Sequence, residues 1–70
     1  MTFSAILRII RNELGLTQEQ LAHELNISFS TLNRWGNGHT SPSRLAKIHL
    51  KEYCHTKSIA SSIVSELENL

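Results

Sequence analysis

Four side chains suited to contact the edges of DNA bases lie close together in residues 29–34. An arginine such as Arg34 pairs with guanine, an asparagine such as Asn33 pairs with adenine, and the Ser30 hydroxyl donates or accepts. An exposed Phe29 ring at the start of the segment can contact a thymine methyl group. In a helix these four side chains span an arc of about 140°. Leu32 and Trp35 lie outside that arc, which predicts a helix with one apolar face and one base-contacting face.

Two of these residues have an alternative interpretation. Phe29 could pack into the core against the first or the fourth predicted helix. Arg34 could be a surface charge or a phosphate contact instead of a base contact.

The first predicted helix lies before this segment. Its apolar residues recur at every third or fourth position and line one face: Phe3, Ile6, Leu7, Ile10 and Leu14. Gly15 supplies the left-handed residue just past the end of this helix.

Two short helices then follow, separated by a tight turn. Thr17 and Gln20 have the spacing of a capping box, which begins the second helix. Asn26 tolerates a positive φ, and Ser28 can cap the third helix. Residues 17–37 therefore have the pattern of a helix-turn-helix.

The second half of the chain predicts two further helices. Ser41 as N-cap and Pro42 as the first helical residue begin the fourth, with Leu45, Ile48 and Tyr53 facing inward. The fifth helix carries an apolar stripe: Ile59, Ile63, Leu67 and Leu70. Residues 55–57 contain neither glycine nor proline, so one bent or continuous helix stays an alternative. The stripe packs either on its own bundle or against a second chain.

Composition limits the class of protein. Seventy residues allow one domain, here 1–70 with a core of 4–55 and a C-terminal helix over 57–70, and the class is all-α. Nucleotide-binding and barrel folds are excluded by size. The single Cys54 indicates a reducing compartment, and Arg8 interrupts the apolar N-terminal run. We therefore expect a cytoplasmic chain without a signal peptide or a membrane anchor.

Charge is divided unevenly along the chain. Residues 1–57 hold seven Lys and Arg and four Glu, which gives +3, and residues 58–70 hold two Glu, which gives −2. This distribution suits an anionic partner on one face. The four histidines show no i, i+4 pair beside one cysteine, so we predict no metal site. The sequence has neither a Cys–His or Ser–His–Asp pattern nor a glycine-rich loop for a nucleotide, so we predict no cofactor, no small-molecule ligand and no enzyme activity.

Residues 9–53 carry three groups of residues at characteristic spacing: Leu16-Thr17-Gln18 with Leu21-Ala22, then Ile27-Ser28, then Leu32-x-x-Trp35-x-Asn37-Gly38. Together they resemble the Cro/C1-type helix-turn-helix, also called the xenobiotic-response-element family. The resemblance implies a lambda-repressor-like bundle of about five helices and transcriptional regulation through DNA binding as a dimer.

The resemblance also implies roles for individual residues. Gln18 would contact phosphate and a base, Asn37 and Thr40 the DNA backbone, and Arg11 a phosphate. Phe29, Ser30, Asn33 and Arg34 would face the groove, with Ser28 and Thr31 completing the DNA-binding set. The alternatives are a polar first-turn residue for Gln18, a helix-closing role for Asn37, a solvated charge for Arg11 and capping for Thr40.

Gly36 departs from the family, which usually has glutamate at this position. Because glycine costs about 1 kcal/mol against alanine in a helix interior, we expect the third helix to end earlier or more loosely. That expectation bears most on the positions of Asn37 and Thr40.

The sequence thus predicts a sequence-specific DNA-binding transcriptional regulator, a repressor, whose partner is double-stranded DNA. If the apolar stripe of the C-terminal helix packs against a second chain, that helix would form a homodimer. The alternative is a protein-interaction module on the same fold, such as an antitoxin or an adaptor subunit. An RNA-binding role has less support because several stacked aromatic residues would be needed.

Overall fold

The computed structural model describes residues 1–38 and 41–70, and these form five helices and no strand. The helices are α1 (Phe3–Leu14), α2 (Gln18–Leu25), α3 (Phe29–Gly36), α4 (Arg44–Thr56) and α5 (Ser61–Glu68). The all-α prediction is therefore confirmed. None of the helices in the described ranges is long and apolar enough to cross a membrane.

The predicted helix boundaries between α1 and α3 are confirmed in detail. Gly15 is left-handed with φ 64° and closes α1. The Thr17 hydroxyl accepts from the Gln20 amide at 3.1 Å, and the Gln20 side chain accepts from the Thr17 amide at 2.8 Å. Asn26 is left-handed with φ 57°, and Ser28 caps α3 through the Thr31 amide. The capping box fixes the start of α2, and Asn26 together with the Ser28 cap fixes the turn between α2 and α3.

The core lies where α1, α2 and α3 meet α4 and α5. Its most completely buried side chains come from all five helices: Ile6, Ile10, Leu21, Leu25, Leu32, Leu50, Cys54 and Leu67. Cys54 is buried among them and packs as a small apolar residue.

The start of α4 differs from the prediction. Ser43, and not Ser41, is the N-cap, because its hydroxyl accepts from the Ala46 amide at 3.1 Å. Serines stand on both sides of Pro42, so either could cap by residue type. With Ser43 as the cap, Pro42 lies before the helix instead of opening it.

Of the three residues predicted to face inward on α4, Tyr53 is half-buried and packs against the core, but Leu45 and Ile48 face solvent. Leu45 is 79% exposed and Ile48 is 43% exposed. The buried side chains are Leu50 and Cys54, and each lies about 120–180° around the helix from Leu45 and from Ile48. The spacing of three residues correctly indicated that Leu45 and Ile48 share one face of α4, but that face lies toward solvent and not toward the core.

Helices α4 and α5 are separate, which settles the alternative of one continuous helix. Ser58 is left-handed with φ 59°, and the Ile59 amide donates to the Cys54 carbonyl at 2.9 Å. Ile59 is buried, so an apolar anchor just beyond the turn closes α4 without a glycine. The last helix begins at Ser61, later than the predicted boundary at residue 57.

The apolar stripe at the C-terminal end packs on its own bundle. Ile59, Val64 and Leu67 are buried, and α5 contacts both α1 and α4. Ile63 is half-buried and Leu70 is 41% exposed. Little of the stripe is therefore left for a second chain.

A polar contact joins the end of α2 to the end of α4. The Tyr53 hydroxyl donates to Glu24 Oε1 at 3.1 Å, and Lys57 Nζ lies 3.3 Å from the same oxygen. Burial raises the pKa of Tyr53 to about 12, and the hydrogen bond to Glu24 and its negative charge add to the shift. The Lys57 and Tyr53 hydrogen bonds lower the pKa of Glu24.

Tyr53 gives a prediction for alkaline pH. Because its pKa is raised in the folded state, its contribution to stability is present below pH 10.0 and is lost as pH rises through about 12. We expect tyrosinate absorbance of the only tyrosine to titrate near 12 while circular dichroism reports the fold. Glu24→Gln should lower that midpoint, and Glu52→Gln, another exposed carboxylate, should leave it unchanged. A midpoint near 10 in the folded chain would contradict the burial of this hydroxyl.

Candidate nucleic-acid interface

The outer face of α3 presents the side chains that the sequence predicted for base contact. Phe29 is 46% exposed, Ser30 and Arg34 are exposed, and Asn33 is half-buried. Phe29 therefore lies on the surface and not in the core. Leu32, on the opposite side, is only 1% exposed and holds the helix on the bundle.

Trp35 anchors the other end of α3. Its ring is half-buried and lies 5.3 Å from the Phe3 ring between centroids, at an interplanar angle of 52°. This tilted arrangement is a favourable one for two aromatic rings. It ties α3 to the first turn of α1, so α3 is supported at Leu32 and again at Trp35.

Ser28 and Thr31 lie at the N-terminal end of α3. The Ser28 hydroxyl accepts from the Thr31 amide at 3.1 Å and lies 2.8 Å from the Thr31 hydroxyl and 3.2 Å from the Ser30 hydroxyl. These hydroxyls bond to one another at the helix start. Their position suits a role in fixing where α3 begins.

The C-terminal end of α3 includes Gly36, so the helix does not end before it. Asn37 follows in a right-handed conformation, donates its amide to the Asn33 carbonyl at 3.0 Å and keeps its side chain exposed. Thr40 and His39 lie outside the described residues.

The Gln18 side chain explains why glycine fits at position 36. A Cβ atom built on Gly36 would lie 3.0 Å from Gln18 Nε2, which is closer than ordinary van der Waals contact. The amide at the start of α2 therefore lies against the last turn of α3, in space that a larger residue at 36 would take. At this departure from the family pattern, the Gln18 side chain and α3 are in close contact.

An open cleft of about 130 Å³ lies beside this contact, between α1, the start of α2 and the end of α3. Leu7, Leu21 and Leu32 form its apolar floor. Its polar lining consists of Ser4, Arg8, Arg11 and Gln18. The cleft thus unites Arg11 and Gln18, which were predicted as phosphate contacts. The sequence prediction missed Arg8, although its i, i+3 spacing from Arg11 places both on one side of α1.

The arginines of α1 and α3 take no part in the ion pairs of the described residues. The three pairs among the described residues join the N-terminal amine to Glu66, Lys51 to Glu68 and Lys57 to Glu24. Within residues 1–38 and 41–70, neither the α1 arginines nor Arg34 lies within 4.0 Å of a carboxylate. Positive charge therefore stays available on α1 and α3.

The fold and this surface define a class of protein: a helical bundle whose third helix is presented by a capped helix-turn-helix. A family model described as helix-turn-helix matches residues 7–48, more than half of the chain. The chain belongs to the Cro/C1-type helix-turn-helix family, whose members are DNA-binding regulatory domains and are not typically enzymes. Neither the comparison with curated proteins nor the comparison with solved structures found a match.

The Gln18–Gly36 contact yields a prediction. Gly36→Ala should raise the free energy of unfolding by about 0.5–1 kcal/mol, since alanine favours the helix and the flexible Gln18 amide can move aside. DNA affinity should fall because that amide is displaced. Thermal unfolding and duplex titration measure the two effects. In a Gln18→Ala background, Gly36→Ala should still stabilise the chain but should leave DNA affinity unchanged. If affinity fell in that background as well, the loss would not be due to displacement of the Gln18 amide.

Proposed function

We propose that this DNA-binding domain is a sequence-specific transcriptional repressor that inserts α3 into the major groove of its operator. The observation that supports this proposal best is the division of α3 into two faces. Leu32 is buried and Trp35 half-buried on one side, while Ser30 and Arg34 are exposed on the other. A helix held in this way offers its polar side chains to base edges without unpacking.

Base readout is assigned to the exposed face. Arg34 would donate two hydrogen bonds to a guanine and Asn33 would pair with an adenine. Ser30 would donate or accept at a neighbouring base, and Phe29 would contact a thymine methyl group. Ser28 and Thr31 would act at the start of α3, where their hydroxyls already hold the helix end.

Phosphate contacts are assigned to the cleft and to the end of α3. Arg11 and Gln18 line the cleft, and Gln18 is also the first residue of α2, where backbone N–H groups have no partner within the helix. Arg8 joins them because it lines the same cleft. Asn37 and Thr40 would contact the backbone beyond α3. These contacts position the protein on the duplex but do not read sequence.

Repression follows from occupancy alone. A domain that covers an operator blocks polymerase without any further chemistry, and the proposed site offers what such binding needs: hydrogen-bonding side chains, positive charges and one exposed ring. Pairing of two copies on one operator is part of this proposal, because one copy offers few cations for phosphate neutralisation. Of the predicted dimer contact on the C-terminal helix, only Ile63 and Leu70 keep exposed surface.

Selection from a random duplex pool at increasing salt tests the proposal. We expect enrichment of one sequence and a linear fall of log affinity with log salt concentration. Transcription in vitro from a promoter that carries the enriched sequence should then decrease. A pool that shows neither enrichment nor salt dependence would contradict DNA recognition. Increased transcription would contradict only the repressor role and not DNA recognition.

A protein-interaction module on the same fold, an antitoxin or an adaptor subunit, is the second candidate, and the exposed Phe29 ring favours it. Under this candidate, Phe29→Ala weakens a stoichiometric protein complex and leaves duplex binding unchanged. Under the favoured function, Phe29→Ala reduces the preference for thymine at one operator position. The two measurements on one variant separate the candidates.

A further inference from the structure

Two apolar side chains stand in solvent on α4, one turn apart. Leu45 is 79% exposed and Ile48 is 43% exposed, whereas every other leucine and isoleucine among the described residues except Leu70 is buried or half-buried. Leu50 and Cys54 anchor α4 in the core instead. The fold of one copy therefore does not use this apolar pair.

Charged side chains of opposite sign flank the pair. Arg44 precedes Leu45, and Glu52 follows Ile48 by one turn; both are exposed, and neither makes an ion pair within the described ranges. At about 100° per residue, Arg44, Leu45, Ile48 and Glu52 fall within an arc of about 100°. We call these four residues the α4 face.

The lysines of α4 are already engaged within the bundle. Lys47 Nζ donates to the Leu70 carbonyl at 3.0 Å, and Lys51 Nζ lies 3.9 Å from a Glu68 oxygen. They link α4 to the C-terminal end of the chain. Arg44 and Glu52 differ from these two lysines because, among the described residues, their side chains form neither an ion pair nor a hydrogen bond within the monomer.

Along the helix, the α4 face runs from a positive side chain through two apolar side chains to a negative one. When two copies of this face meet in opposite directions, each positive side chain therefore lies against a negative one. We propose that the α4 face binds the α4 face of a second copy, with the two helices antiparallel about a two-fold axis near Ile48. Ile48 then packs against Ile48 of the second copy. Arg44 faces Glu52 of the second copy, and by symmetry the same pair forms twice.

Charge determines the orientation of this contact. In a parallel arrangement Arg44 would meet Arg44 and Glu52 would meet Glu52, and such like-charge contacts are unfavourable. The antiparallel arrangement turns both repulsions into attractions, while the apolar pair supplies the burial. A standard interface buries about 800 Å² per partner, more than four side chains of one helix provide. We therefore expect a weak dimer that strengthens when both copies bind one duplex.

The size of the molecule is compatible with this pairing of two copies on one DNA duplex. This part of the argument rests on the proposed function. Recognition helices one helical turn apart, about 34 Å, each lie about 17 Å from the two-fold axis. The bundle measures 27 × 23 × 19 Å, so α3 and the α4 face can be that far apart within one copy.

Sedimentation equilibrium of the chain without DNA tests the contact. We expect a reversible monomer–dimer equilibrium for the unmodified chain. Ile48→Ser should raise the dimer dissociation constant about tenfold, because each copy loses apolar burial at the axis. Thermal unfolding should change little since the side chain is exposed. Leu70→Ser, which alters another exposed apolar residue two positions beyond the end of α5, is the matched control and should leave the dissociation constant unchanged.

A charge exchange tests the antiparallel arrangement. Arg44→Glu alone and Glu52→Arg alone should each weaken the dimer, and the double variant should restore it at unchanged net charge. Three results would overturn the proposal: a monomer at all concentrations, loss of the dimer in Leu70→Ser but not in Ile48→Ser, or a double variant that stays weak. Because no DNA is present, these results are independent of whether the chain recognises an operator.

Discussion

Arg34→Ala should reduce affinity for the selected operator by about 1–3 kcal/mol, the cost of losing a bidentate base contact. Arg34 is exposed on the outer face of α3 and has no carboxylate partner in the described parts of the chain, so its guanidinium is available to a guanine. The loss should concentrate at one base position, where discrimination between bases relaxes. Duplex titrations with the operator and with single-position variants measure both effects.

Two further variants distinguish a base contact of Arg34 from a general effect of positive charge. Arg34→Lys keeps the charge but loses the forked donor geometry, so discrimination should fall while binding to unrelated duplexes persists. Lys51→Ala removes a cation that is already paired with Glu68 and should change neither quantity appreciably. If Arg34→Ala instead weakened all sequences equally and lowered the salt slope, Arg34 would be a phosphate contact.

Leu32→Ala should lower the free energy of unfolding by about 2–5 kcal/mol. Leu32 is 1% exposed, so truncation leaves a cavity beneath the helix that carries the proposed base contacts. A chain of this length has about 4–10 kcal/mol of total stability, so this substitution removes a large part of it. Thermal and urea unfolding measure the loss, and DNA binding should fall as the folded population falls.

Variants on the same helix separate packing from recognition. Leu32→Met keeps volume and apolar character and should cost less than about 1.5 kcal/mol. Ser30→Ala, on the exposed face, should change stability by no more than about 0.5 kcal/mol. If Leu32→Ala left stability unchanged, or if Ser30→Ala matched its cost, the assignment of the two faces of α3 would be wrong.

Much of the first half of the chain was predictable from sequence because its signals are local. Gly15, Thr17 and Asn26 act on backbone atoms within a few residues, and the structure has them in those roles. The faces of α3 were predictable for a related reason: Leu32 and Arg34 differ so strongly in polarity that burial of one leaves the other outside. Gln18 and Arg11 were identified through the family resemblance, and their roles toward DNA stay predictions.

The second half of the chain depended on packing that sequence patterns do not encode. By itself, the sequence determined an all-α bundle with a capped helix-turn-helix, since caps and periodicity operate over a few residues. Only the tertiary structure decided that Ser43 begins α4, that Leu45 and Ile48 face solvent, and that Gln18 lies against Gly36. The two serines beside Pro42 are alike in residue type, so only the course of the chain decides which of them caps α4. Which apolar side chains of α4 are buried, and what Gln18 contacts, depends on where helices that are distant in the sequence meet.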